Sequence, residues 1–473
     1  MRHGSKHQAR SSAQHVPTTQ ATPPAAAGST PPGPTLASLL WNVARGRGSD
    51  VLEAVTLWQA NFGDRVHVPI PGRPTYIFYH PDAIGEFLVA QSAAFTKNWM
   101  LRGHKEVFGE GLLTSEGDFW RGQRKMMQPS FHHRRLQLYG KVMAERAQAL
   151  CARLRPGEML DLQRELNAVA LDIVVRSLFA LEGGPELDRT AAALDVVLAH
   201  FRFHISPAAP PFWFPHPVRR RYLRAIAALD EVVAGLVEGR RQSGAQGDDL
   251  LSTLLEARDE AGRPMSDRQL RDEVLTLLLA GHETTGQTLA FACDLLARHP
   301  RALASLRAEL DSVLGGRAPA PDDLQKLPFT DAVVKESLRL YPPAATIGRE
   351  PIHEVTIAGV RIPPGSDVAA PSWVVHRDPR WYERPLEFLP ERWLPKEGEL
   401  PLEQRLPKHA FFPFGGGPRV CIGNAFAIME AKLVLATLWQ RWGFELVSRG
   451  PLEVQASLTI RARGGIHARV VER

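Results

Sequence analysis

Residues Phe414-Gly415-Gly416-Gly417-Pro418-Arg419-Val420-Cys421-Ile422-Gly423 set one cysteine at the end of a glycine-rich loop, directly before a helical pattern that begins near Asn424. Glycines let backbone amides approach the sulfur and hydrogen-bond it, and the positive end of the following helix favours the charged thiolate. A sulfur so placed suits a thiolate ligand for haem iron, to which it donates electron density that promotes O–O cleavage. The alternative is a structural cysteine beside a flexible turn. That alternative fits Cys151 and Cys293, which lie in apolar, helix-like stretches with no glycine loop and no second cysteine at a metal or redox spacing. Three cysteines in 473 residues argue against a disulfide framework and for a reducing compartment, so the expected location is cytoplasmic.

The longest helical pattern opens at Ser266, with Gln269 three residues on as a capping-box partner, and runs to His299, where Pro300 stops it. At a rise of about 1.5 Å per residue it spans roughly 50 Å, about a domain diameter, so its middle can be presented to a cofactor. That middle reads Ala280-Gly281-His282-Glu283-Thr284-Thr285. Ala280 and Gly281 are small enough for close approach over a flat macrocycle, and a threonine hydroxyl that competes for a backbone carbonyl can open a local groove. Glu283 and Thr284 supply an acid and a hydroxyl side by side, the chemistry needed to deliver protons during O–O cleavage. A zinc-protease reading of His282-Glu283 fails, because Gly286 stands where the second histidine is required.

Together these segments resemble the cytochrome P450 superfamily of haem-thiolate monooxygenases, of the bacterial type without a fused reductase. The haem signature of that family needs Phe414, Gly417, Arg419, Cys421 and Gly423, and all are present. The resemblance implies a triangular, mainly α fold with small β-sheets and haem b between the long central helix and the cysteine-loop helix, with Cys421 as iron ligand. It implies Glu283 and Thr284 as the proton relay, Ala280, Gly281 and Phe414 against the haem, and Trp120, Arg124, Arg349 and Arg419 on its propionates. Charge-assisted donors suit such carboxylates, and Trp120 and Arg124, four apart, share a helical face. Glu336 and Arg339, three apart on a helix, join Arg392 of Pro390-Glu391-Arg392-Trp393 as a buried structural network under the cysteine loop. Trp393 replaces the commoner phenylalanine there, and His376 reads as structural.

A hydrophobic share of 44% and a charged share of 23% describe one large globular enzyme. Residues 1–34 are rich in Pro, Ala, Ser, Thr and Gln and hold no acidic residue; they cannot offset ordering entropy and read as a disordered tail, leaving 35–473 as the monooxygenase domain. No run reaches transmembrane length. Leu36 to Val43 is too short to span and carries Asn42, so it reads as a surface helix or a weak interfacial contact. The net charge of +6 comes without a basic cluster interleaved with aromatics, which excludes nucleic acid as a partner. Arg121, Lys125, Arg405 and Lys408 are expected to form a basic patch on the thiolate side. The short stretch after Cys421 cannot hold a flavin domain, so electrons are expected from NAD(P)H through a separate ferredoxin or flavodoxin with its reductase, acting on a monomer.

Apolar residues recur at helical spacing through 134–154, 158–181, 217–241, 266–298, 301–314, 329–340 and 424–441. Val355-Thr356-Ile357 and Val360-Arg361-Ile362 flank Ala358-Gly359 as a hairpin, and Leu458 to Ile460 and His467 to Val470 read as extended. The resemblance places the substrate lining at about 92–112, Phe201 to Pro217, Leu277 to Thr284 and Ala344 to Gly348. Phe203, Phe212, Trp213 and Phe214 make it apolar, with the prolines of 207–217 as an irregular lid. The expected reaction is hydroxylation or epoxidation of a hydrophobic small molecule with O2. Fatty acids and terpenoids both fit, with Arg102 or Arg202 as candidate carboxylate anchors. Alternatives are a haem-thiolate isomerase, dehydratase or peroxygenase, against which the Glu283-Thr284 pair argues, and a haem sensor, which leaves that pair unexplained.

Overall fold

Ser266 caps the longest helix, Asp267–Arg298, with the expected reciprocal box: its hydroxyl accepts from the Gln269 amide at 3.3 Å, and its own amide donates to the Gln269 side chain at 2.8 Å. The helix ends before His299, and Pro300 occupies the first position of the next helix, Pro300–Leu314. The computed structural model describes residues 30–44, 50–181, 184–205, 214–243, 247–448 and 450–473. The long helix is buried on almost every side, as a core helix rather than an amphipathic surface one. Its most extensive neighbour is Leu162–Phe179. Two glycines allow that approach: a Cβ at Gly281 would lie 2.8 Å from Val174, and one at Gly286 would lie 2.0 Å from the Asn167 side chain.

The helix Asn424–Arg441 packs against His133–Arg153, the central helix and Pro328–Leu340, closing the main helical core. A second apolar core lies beside a five-stranded sheet ordered Arg65–Val68, Thr75–Phe78, Asp367–Ala370, Ile347–Pro351 and Phe95–Lys97. Only the pair Thr75–Phe78 and Asp367–Ala370 is parallel. The last two strands are antiparallel in a register that sets Lys97 opposite Arg349, and this edge matters for the site.

The mainly α class with small sheets matches the expectation, as does the hairpin Val355–Ile357 with Val360–Ile362. Two boundaries differ and one helix is added. Residues 159–161 are a strand paired with His467–Glu472, and Asp161 then caps the helix Leu162–Phe179 by accepting from the Gln163 amide at 3.0 Å; the helix expected from 158 therefore starts later. The extended segment at 458–460 is instead a turn followed by the strand Ile460–Ala462. A helix the sequence reading did not place, Pro185–Ile205, precedes the lid region. The tail expected at 1–34 lies outside the described residues up to 29. Residues 30–34 run against the sheet, where the Pro32 carbonyl accepts from the His67 amide at 3.1 Å. No helix among the described residues is long and apolar enough to cross a membrane.

Candidate active site

The cysteine loop is shaped by two glycines in the left-handed region, Gly415 at φ 79° and Gly417 at φ 66°. Gly417 also needs its missing side chain, since a Cβ there would lie 2.0 Å from the Leu88 carbonyl oxygen. The loop closes on itself where the Cys421 amide donates to the Phe414 carbonyl at 3.0 Å. The Cys421 side chain is accessible yet enclosed by protein, so it faces internal space. Burial raises its thiol pKa, while the Gly423 amide and the charges of Arg124 and Lys97 pull toward the thiolate. Cys293 has no cation beside it, and burial, opposed only by the Trp439 side chain, pushes its thiol up to about 12; Cys151 is buried as well.

Around that sulfur the structure gathers the residues expected from different parts of the chain. Trp120 and Arg124 share the inner face of the helix Gly117–Met127; Arg124 donates to the Val420 carbonyl at 2.9 Å, and the Arg419 guanidinium lies 3.8 Å from the Trp120 ring centre. Arg419 donates to the Ser115 carbonyl and pairs with Glu116. Arg349, on the strand next to the sheet edge, is buried and stands opposite Lys97 of the edge strand. Lys97 and Glu116 carry no motif and were not anticipated; only their fold neighbours mark them. Like charges set opposite one another on a sheet are unfavourable. Burial lowers the pKa of Lys97, Arg124, Arg349 and Arg419, that of Arg349 to about 10, and mutual repulsion deepens the shift for Lys97, Arg349 and Arg419. Four cations against the single carboxylate Glu116 leave three positive charges to spare. Two propionates and the thiolate would bring compensating negative charge to this excess, so the residues fit a haem ligated by Cys421.

The central helix presents Ala280 as exposed, with Gly281 and Thr284 half-buried, in the middle of an otherwise buried run. The Thr284 hydroxyl donates to the Ala280 carbonyl at 2.7 Å, as expected of a competing hydroxyl, within a helix that runs on from Asp267 to Arg298. The Cβ direction of Gly281 points at Val174, so its missing side chain serves helix packing. Glu283 is almost fully buried. Its Oε1 accepts from the Thr459 hydroxyl at 2.8 Å and from Arg461, while its Oε2 makes no hydrogen bond. Thr459 and Arg461 lie far along the chain from Glu283, and no local signal in the sequence joins them to it. His282 is held neutral by burial, with its Nδ1 3.1 Å from the Leu278 carbonyl oxygen.

Beneath the loop, Glu336, Arg339 and Arg392 meet in one buried cluster. Arg339 makes two bonds of 2.8 Å to Glu336, and Arg392 adds one of 3.0 Å. Arg339 also donates to the carbonyls of His376, Pro385 and Glu387. Trp393 is more than an aromatic substitute, because its indole N–H donates to Glu336 at 2.8 Å, which phenylalanine cannot do. His376, neutral through burial, accepts the Phe412 amide at 2.9 Å and so ties this cluster to the cysteine loop.

Among the expected lining residues, Phe212 and Trp213 lie outside the described residues, as does the Arg202 side chain. Phe214 is exposed, and Phe203 stacks on His216 at 5.3 Å. Arg102 is ion-paired with Glu350, which also holds Arg73.

Spare positive charge beside a loop-held sulfur suits a haem bound through a thiolate. A model of the cytochrome P450 family matches residues 31–463. Cyclooctatin synthase of Streptomyces melanosporofaciens is 36% identical over 385 residues, covering 80% of this chain and 83% of that protein. Pentalenene oxygenase of Streptomyces avermitilis is 36% identical over 383 residues, covering 80% and 84%. The solved heme domain of cytochrome P450DA superposes with a TM-score of 0.84 at 29% identity, covering 95% of this chain and 99% of that one. The chain belongs to the cytochrome P450 family and is a haem-dependent monooxygenase of it.

Proposed function

We propose that this monooxygenase hydroxylates or epoxidises a cyclic terpenoid rather than a fatty acid. The observation that favours this choice is that Arg102, the candidate carboxylate anchor within the described residues, already pairs with Glu350 through Nη2. The names of relatives that act on cyclooctat-9-en-7-ol and pentalenene support the same class. Titration of the oxidised protein with a cyclic sesquiterpene or diterpene alcohol is expected to shift the haem spin state at micromolar concentration, with long-chain fatty acids weaker by at least about tenfold. Tighter binding of the fatty acid would reverse the assignment.

Bound haem supplies O2 activation and the oxidising equivalent for attack on a C–H bond or alkene. Cys421 would ligate its iron, and Lys97, Arg124, Arg349, Arg419 and Trp120 would hold its propionates. Thr284 keeps a hydroxyl at the open face of the central helix. Glu283 backs it as an acid with one oxygen held by Thr459 and Arg461 and the other without a hydrogen bond. In that arrangement Glu283 takes protons from the hairpin side and Thr284 passes them inward. Thr284→Ala is expected to keep haem and substrate binding, slow product formation by about 10²-fold and send the electrons to hydrogen peroxide. Unchanged coupling of electrons to product would remove Thr284 from the relay.

Electrons come, in this reading, from NAD(P)H through a separate ferredoxin or flavodoxin in the cytoplasm. The helix Gly117–Met127 suits the docking side, because it turns Trp120 and Arg124 inward and Arg121 and Lys125 outward. Arg121 pairs with Asp118, Lys125 with Glu260 and Arg405 with Glu399, so the patch is less positive than its cations alone imply.

A further inference from the structure

Glu116 holds the N-cap position of the helix Gly117–Met127, yet its side chain caps no amide of that helix. An N-cap side chain ordinarily accepts from the second or third amide of its own helix. The Glu116 carboxylate reaches two other elements instead. Its Oε1 accepts the Lys97 amide of the strand Phe95–Lys97 at 2.5 Å, and its Oε2 pairs with Arg419 of the cysteine loop. The helix that starts at Glu116 carries Trp120 and Arg124, so one carboxylate stands where the elements bearing Lys97, Arg124 and Arg419 meet. Its charge acts on Lys97, Arg349 and Arg419 and favours the charged form of each. Among the described residues, Arg419 alone of the four cations has a carboxylate partner.

Hydrogen bonding by itself does not call for an acid at this position. The amide oxygen of a glutamine would accept from the Lys97 amide or from Arg419 as well. What the acid adds is one negative charge among cations suited to hold the haem propionates. Reduction places one more electron on the haem, so cations beside it favour the ferrous form. A carboxylate that offsets part of their field favours the ferric form. The Glu116 side chain is 27% exposed, so solvent screens only part of its charge.

We propose that Glu116 tunes the reduction potential of the haem, its charge lowering that potential by offsetting the cations that hold the propionates. The inference rests on the assignment of Arg349 and Arg419 to the propionates and is independent of the substrate class. It bears on the first electron transfer, where Glu116 restricts the usable donors to those of lower potential.

The test is a spectroelectrochemical titration of the haem-loaded full chain without substrate. Glu116→Gln preserves the shape of the side chain and is expected to raise the ferrous-to-ferric ratio at a fixed potential about tenfold, a rise of about 59 mV for a one-electron couple. Glu116→Asp keeps the charge and is expected to leave that ratio within about twofold of the parent protein. Arg349→Gln removes a cation that makes no bond to Glu116 and is expected to move the ratio the opposite way. Unchanged ferric absorption and thermal midpoint in Glu116→Gln separate the effect of charge from a loss of structure. A Glu116→Gln potential equal to that of the parent overturns the proposal; a lowered Arg349→Gln potential beside it leaves the propionate assignment standing, whereas an unmoved one removes that assignment too. A Glu116→Asp potential raised as far as that of Glu116→Gln also overturns the proposal, since the effect would then follow the geometry of the contact and not its charge.

Discussion

Cys421→Ser is expected to lower product formation by more than about 10²-fold, roughly 3 kcal/mol of barrier, while leaving the fold intact. The side chain faces internal space and makes no packing contact that serine cannot replace, and the loop around it is held by Gly415, Gly417 and the Cys421 amide rather than by the sulfur. What serine cannot supply is a thiolate. Its hydroxyl ionises far less readily than a thiol, so the Gly423 amide and the charges of Arg124 and Lys97 that pull Cys421 toward its ionised form have nothing to stabilise. Loss of product formation without change in the far-ultraviolet dichroism is the expected result. Full activity in the variant would remove Cys421 from the chemistry.

Glu336→Ala is expected to have the largest effect on stability, about 3–5 kcal/mol, a sizeable part of what a folded domain possesses. Glu336 is fully buried and receives five hydrogen bonds, from Arg339 twice and from Arg392, Trp393 and the Leu389 amide. Removing the carboxylate leaves the Arg339 charge buried with only backbone carbonyls and the Tyr382 ring as partners. Through His376 and the Phe412 amide the damage reaches the cysteine loop, so haem retention should fall along with the urea midpoint. A midpoint within the error of the parent protein would show that the cluster does not support the loop. Glu336→Gln keeps the shape and part of the bonding and is expected to fall between the two.

The parts of this molecule that were legible in the sequence are those encoded locally. The loop at 414–423, the capped helix from Ser266 and the Glu336-Arg339 spacing each state their geometry within a few residues, and the structure brings them into one region. The sheet beside them was not legible. Its strands are three to five residues long and its order runs from residue 65 to 370 and back to 95, so no periodicity announces it. Lys97 gains its meaning only because that sheet sets it opposite Arg349. Arg461 gains its own only because the hairpin formed by Val454–Ala456 and Ile460–Ala462 folds onto the central helix at Glu283. Gly281 shows two demands meeting on one residue. A small residue beside an expected cofactor suggests close approach to it, yet helix packing on Val174 demands the same residue.

The measurement that most directly tests the central claim is the reduced carbon monoxide difference spectrum of the haem-loaded protein. A red-shifted, thiolate-type Soret band is the predicted result, because Cys421 is the only cysteine of the three that is not buried in apolar packing. A band of the histidine-ligated kind, or no haem uptake at all, would contradict the assignment of Cys421 and the reading of the cationic patch that depends on it.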